Sequence, residues 1–277
     1  MNPSPTGRSI PPVAFHRRSA SSGNPGSQSN VEAGTPAPQP TSDDGANIGD
    51  ACSPATRQAL EQTLRQKFDL VIRSYSFGPQ QIEFAVLRNP ESLLDEVTLE
   101  QSHDEMDWQP YWGQIWPSSL GMGQALVTQD LVGRSVLDLG CGLGVPGTVA
   151  AACGARVWFV DNALPALDFV RWNSWPWRDR VEILSFDWRR GHSLPWQFDI
   201  ILGSDILYAR EDVPYLDRFW RQHLAAGGHV VLSEPCRLMT LDILPQVRAA
   251  GWSVATRPRV VEPSGEKVNL LTLTRSG

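Results

Sequence analysis

The chain has 277 residues, 41% of them hydrophobic and 19% charged, the balance of a soluble globular protein with room for one well-buried domain of roughly 200 residues plus extensions. No apolar stretch approaches the ~18 residues of a membrane-spanning helix, so no transmembrane segment is expected. A net charge of −6 argues against a large sequence-independent footprint on nucleic acid.

Residues 1–50 are dominated by Pro, Ser, Gly, Ala and Asn and cannot bury enough apolar surface to offset the entropy of ordering, so a disordered tail is expected. Arg8, Arg17 and Arg18 stand among serines ahead of the first acid, Glu32, which leaves an organellar transit peptide as the alternative to a plain tail. A helix near Ser53, under a Ser-Pro cap, would place Leu60, Leu64 and Phe68 on one face. Asp69 to Tyr75 and Gln81 to Leu87 alternate apolar and polar residues around Ser76-Phe77-Gly78-Pro79, which predicts a β-hairpin accessory to the core sheet. Next comes Trp108-Gln109-Pro110-Tyr111-Trp112-Gly113-Gln114-Ile115-Trp116-Pro117, whose aromatics either plug the end of a sheet or wall a ligand.

Ser135 to Asn162 then reads as strand, glycine turn, helix and strand, half of a nucleotide-binding α/β sheet. Gly140, Gly142 and Gly144 let the chain turn sharply and let a ligand approach bare backbone, and the helix that follows offers free N–H groups to an anion. Asp161, at the tip of the second strand, is placed to accept hydrogen bonds from a ribose diol. Gly142 to Gly147 satisfies the GxGxxG spacing of dinucleotide sites, but Asp138 just before the turn would repel a pyrophosphate. The same carboxylate suits a ligand with an α-amino group, and S-adenosylmethionine (SAM) carries an ammonium, a carboxylate, a ribose and an adenine.

Val136-Leu137-Asp138-Leu139-Gly140-Cys141-Gly142-Leu143-Gly144 resembles the first motif of the seven-strand, class I SAM-dependent methyltransferases, with Asp161 where that family has its ribose-binding acid. The aromatic stretch resembles one that precedes the core in a group of lysine methyltransferases which includes the electron-transfer-flavoprotein beta-subunit enzyme; there it borders the SAM pocket, which implicates Trp112 and Trp116. The strand Val181 to Leu184 ends at Phe186-Asp187-Trp188, and the resemblance implies that Asp187 bonds the adenine amino group while Trp188 packs on the ring. Asp205-Ile206-Leu207-Tyr208, at the exit of the strand beginning at Phe198, matches the Asp/Glu-x-x-Tyr/Phe motif of the same lysine-modifying group, although a helix cap would explain Asp205 as well.

The resemblance therefore implies a Rossmann-like seven-stranded sheet, mostly parallel with an antiparallel C-terminal strand, with helices on both faces. An accessory segment over 51–107 and a methyltransferase domain over 108–277 are expected. Asp205 and Tyr208 are the candidate catalytic residues. Cys141, Asn162 and Ser204 join Trp112, Trp116, Asp138, the turn glycines, Asp161, Asp187, Trp188 and Asp205 as cofactor-binding candidates. The reaction implied is N-methylation of a protein lysine. A small-molecule or ribosomal-protein acceptor, or a SAM-binding interaction module without catalysis, are the alternatives. The exit lacks the prolines of base- and glutamine-methylating relatives and the paired glutamates of arginine methyltransferases. Cys52, Cys141, Cys153 and Cys236 show neither CxxC nor Cys/His spacing, so no metal site and no disulfide is expected and a reducing compartment is the simpler reading; a cytoplasmic location and a monomeric chain are also expected. Val213 to Leu224 and Leu241 to Ala250 read as helices around a fifth strand, His229 to Glu234, and Trp252 to Thr256 with Val268 to Thr274 as a closing antiparallel pair.

Overall fold

The computed structural model describes residues 56–91, 111–190 and 193–275. The expected tail, Cys52, the Ser53-Pro54 cap, Trp108 and His192 lie outside the described residues. Helix α1 (Arg57–Lys67) starts under Thr56, whose hydroxyl accepts a hydrogen bond from the Ala59 N–H at 3.1 Å. It buries Leu60 and Leu64, one turn apart.

Strands β1 (Leu70–Phe77) and β2 (Gln80–Leu87) form the predicted hairpin, closed tightly by Gly78-Pro79 with Phe77 opposite Gln80. Gly78 has φ +56°, a conformation that a side chain would strain. The hairpin is its own two-stranded sheet, but it is no appendage. Phe77 and Phe84 are fully buried in the same core that covers one face of the main sheet. Asn173 provides the polar tie, accepting from the Ala85 N–H at 2.8 Å and donating to the Leu143 carbonyl at 2.8 Å from a wholly buried position. A hairpin strand and the glycine turn are thereby fastened to one amide.

The main sheet contains β3 (Ser135–Leu139), β4 (Arg156–Asp161), β5 (Val181–Ser185), β6 (Phe198–Ser204), β7 (Leu224–Glu234), β8 (Trp252–Val261) and β9 (Glu266–Arg275). The spatial order is β5-β4-β3-β6-β7-β9-β8, parallel except that β9 runs antiparallel to both its neighbours. Order reverses between β3 and β6, so their carboxyl ends open the crevice where such sheets take ligands. Helices α2 (Pro117–Leu126), α3 (Val145–Ala152) and α4 (Leu164–Asn173) contribute to one core with the hairpin, while α5 (Val213–His223) and α6 (Leu238–Ala249) contribute to the other.

Two boundaries differ from expectation. Ala226-Gly227-Gly228 does not simply stop a helix; α5 ends at His223 and the chain enters β7 at once, with a register shift opposite Phe198 and Ile200. A Cβ on Gly228 would come within 2.7 Å of the Asp199 carbonyl, so only glycine passes. The closing pair is also longer, running to the turn at Gly265.

Replacing Asn173 with leucine keeps the volume but strands the Ala85 N–H and the Leu143 carbonyl in an apolar core. Urea unfolding is expected to record a loss of about 2–4 kcal/mol. A loss below about 0.5 kcal/mol would contradict the tie.

Candidate cofactor and acceptor site

Strand alternation sets the first two carboxylates. In β3, Val136 faces the α3 side while Leu137 and Leu139 face the other core; in β4, Phe159 and Val160 divide the same way. Asp138 pairs with Phe159 in register, so Asp138 and Asp161 fall on the same face, one pleat apart.

Asp138 is 1% exposed, and its Oδ2 accepts from the Gly147 N–H at 2.8 Å near the start of α3. Its Oδ1 is buried without a partner. Burial, partly offset by the Gly147 N–H and reinforced by Asp161, pushes its pKa up to about 8. Gly147 must be glycine, since a Cβ there would lie 2.3 Å from the Phe159 ring and 2.8 Å from that carboxylate. Asp161 clamps the turn from the next strand, accepting from the Gly142 N–H at 2.8 Å and the Ala163 N–H at 2.9 Å. Burial raises its pKa, against the N–H groups of Ala163, Gly142 and Asn162. Gly140, Gly142 and Gly144 all take positive φ, as the sequence requires, and the exposed Asn162 follows the clamp. Buried Cys141 donates its N–H to Val160, and burial with the two aspartates pushes its thiol pKa well up, so it stays a neutral thiol.

The other edge of the crevice is built from the β6 exit. Asp205 is 3% exposed, has φ +59°, and donates its N–H to the Ser233 carbonyl at 2.8 Å. It caps no helix. Its carboxylate pairs with Arg237, Nη1 to Oδ1 at 2.9 Å and Nη2 to Oδ2 at 3.4 Å. Burial pushes its pKa up to about 6 against the Arg237 charge, with Glu234 pushing the same way as burial. Ile206 fits over the turn, its Cγ2 3.0 Å from where a Gly140 Cβ would stand. Tyr208 stacks on Tyr111 with centroids 6.0 Å apart and planes at 20°, and Tyr111 meets Trp116 edge-on at 6.2 Å. The Trp116 ring N–H donates to the Tyr111 carbonyl at 2.9 Å. Tyr208 keeps 37% of its surface exposed, while desolvation first and then the charges of Asp205 and Asp161 push its phenol pKa up.

The aromatic stretch thus does both things that the sequence allowed. Trp112 belongs to the hairpin-side core, beside Phe68 and Phe169, and its carbonyl lies over Gly142. Trp116 and Tyr111 form a line of rings with Tyr208, which feels the Asp205 charge. Asp187 spends one oxygen on the Arg189 N–H and the other on Arg190, and Trp188 packs against the α5-side core beneath the Arg189 guanidinium. Ser204 Oγ is buried without a partner at the β6 end. Sequence reasoning passed over Arg237 and Glu234, which carry no local pattern, and did not single out Tyr111 from its neighbours. Among the described residues no cluster of His, Cys, Asp and Glu could hold a metal, and none of the helices is long and apolar enough to cross a membrane.

The residues fit S-adenosylmethionine by their own unmet needs. A buried carboxylate with one free oxygen and a raised pKa wants a cation, and glycines at positive φ leave backbone bare beside it. Strand order, glycine turn and paired acids define the Rossmann-like class I methyltransferase fold. A glycopeptide N-methyltransferase, MtfA, superposes with a TM-score of 0.51 at 16% identity over 57% of this chain and 96% of that one, which supports the fold. Residues 96–237 match the lysine methyltransferase family model, and the chain belongs to that family. Curated relatives include the histone-arginine methyltransferase METTL23 of Rattus norvegicus, 35% identical over 52% of this chain and 64% of that protein. The protein N-lysine methyltransferase METTL21A of Danio rerio is 39% identical over 39% of this chain and 52% of its own length. The chain thus spans between half and two thirds of the length of these two relatives.

An acid whose folded pKa lies above its unfolded value binds protons more tightly when folded, so Asp138 lowers the stability of the ligand-free protein as pH rises from about 4 toward 8. The same proton must leave before an ammonium can pair. Calorimetry with S-adenosylhomocysteine is expected to show affinity rising between pH 6 and 8, by up to about tenfold per unit. Asp138→Asn should flatten that dependence and weaken binding at least about tenfold at pH 8.

Proposed function

We propose that this chain is a SAM-dependent N-methyltransferase acting on a lysine side chain of a protein. The observation that carries the reading is Asp205, a buried carboxylate whose charge reaches Tyr208, the first of a line of rings that continues through Tyr111 to Trp116. In this reading Asp138 takes the ammonium of the cofactor, Asp161 with Asn162 the ribose, and Asp187 the adenine edge. The backbone of Gly140 to Gly144, with Cys141, forms the floor. Trp112 closes it from the hairpin side. Bound there, SAM supplies a methyl group already made electrophilic by its sulfonium, so the chain's contribution is alignment and exclusion of water.

A lysine amine with an ordinary pKa of ~10.4 must release its proton to solvent before its lone pair takes the methyl group and S-adenosylhomocysteine leaves. Asp205, with its pKa near 6, is an anion at neutral pH and accepts a hydrogen bond from the incoming nitrogen. Tyr208 keeps its proton and acts as a donor and a wall rather than a base. The family match and the protein-modifying relatives support a protein acceptor.

A guanidinium acceptor is the second reading, favoured by a second carboxylate, the buried Glu234, and by the arginine-modifying relative. Lysine is preferred because the family model that the chain matches is that of lysine methyltransferases, while Glu234 serves to hold the Arg237 N–H at 2.8 Å and Asn269 at 2.6 Å.

Tritiated SAM, the purified chain and a lysate are expected to place label in protein that hydrolyses to methyllysine. Label as methylarginine would select the second reading, and label only in small molecules would refute both. Asp205→Asn, which suits the left-handed backbone, should cut transfer at least about 100-fold and leave S-adenosylhomocysteine affinity within about threefold. In the unaltered chain transfer should fall on acidification through about pH 6, as Asp205 gains its proton.

A further inference from the structure

Beside Asp205 the chain has assembled more than one carboxylate needs. Arg237 reaches it with both terminal nitrogens, and the Arg237 side chain is 35% exposed against 4% for Asp205, so the guanidinium lies between the buried acid and solvent. Arg237 is itself fixed. Its N–H donates to Glu234 Oε2, and Glu234 is fixed in turn by Asn269, directly opposite it in the β7–β9 ladder. Among the described residues the non-glycine positions with positive φ are Asp205 and Cys236, at +59° and +56°. One carries the acid and the other turns the chain immediately before Arg237. Backbone strain of this kind persists where the surroundings enforce it, and here both instances serve one ion pair.

We propose that Arg237 is a positioning residue for methyl transfer, holding Asp205 ionised and aimed at the acceptor nitrogen. The inference rests on the methyltransferase reading and deepens it. A lone buried carboxylate would take up a proton near neutral pH and lose the free lone pair that the arriving amine needs. Paired with Arg237 it is neutral overall, and it still offers an oxygen lone pair to an N–H group. The groups facing Asp205 are Arg237 and Glu234 from the end of β7, Ser118 from α2 and Tyr208 from its own loop. Among these, Arg237 brings the only positive charge.

The test uses the full chain and two variants, Arg237→Gln and Arg237→Lys. Carbon-13 titration of the Asp205 carboxyl, assigned through Asp205→Asn, needs no acceptor. Its midpoint is expected to rise by about one unit or more in Arg237→Gln and to stay near the parent value in Arg237→Lys. In the labelled-lysate assay Arg237→Gln should lose at least about tenfold at pH 7 and recover much of it at pH 8.5, with thermal stabilisation by S-adenosylhomocysteine retained. Arg237→Lys should keep the parent pH profile. An unmoved midpoint in Arg237→Gln overturns the proposal, and so does transfer that is unchanged or faster at every pH, which would make Arg237 an obstacle instead. A parent chain that labels nothing while the midpoint still moves refutes the methyltransferase reading, and that failure is read in a different assay.

Discussion

The structure depends on a carboxylate buried where water cannot reach it. Asp138 sits in the second-to-last position of a central strand, flanked by β4 and β6, and leans on one N–H of the following helix. Leaving it there with an unpartnered oxygen is costly, and the turn of three positive-φ glycines beside it keeps the backbone bare where a ligand would meet that oxygen. The helix must start close to the strand, so Gly147 cannot carry a side chain.

That constraint spreads outward through small numbers of contacts. Asp161 secures the turn from β4, Asn173 secures it from α4 and the hairpin, and Ile206 covers it from the β6 exit. Cofactor side and acceptor side therefore share one backbone loop. The same organisation explains why Asp205 stands so near: the segment that fits over Gly140 also carries the second acid, and Tyr208 feels the charge of both Asp161 and Asp205.

The hairpin shows how an element outside the main sheet becomes essential to it. Its inward face supplies Phe77, Phe84 and the backbone amide of Ala85, so the core on the α3 side is complete only when it is docked. Arg57 of α1 lies 3.7 Å above the Trp172 ring and Lys67 pairs with Asp168, so α1 binds to the same helix, α4. Exposed pairs such as Lys67–Asp168 add little, whereas the buried aromatic surface carries most of the docking energy.

The sequence alone determined the strand, glycine turn, helix and strand of Ser135 to Asn162, because period-two alternation and the conformational freedom of glycine are local properties; that Asp138 and Asp161 share a face needed the register of β3 against β4. It determined equally that Asp205 and Tyr208 follow a strand at the carboxyl edge of the sheet. Tertiary structure alone decided that the hairpin belongs to the core, that Trp112 and Trp116 part company, that Trp188 turns to the α5 side, and that Asp205 already has a cation. Arg237 is 32 residues from Asp205 in the chain. Only the parallel neighbours β6 and β7, ending side by side, bring those charges within reach, and no periodicity in a sequence records which strand ends will meet.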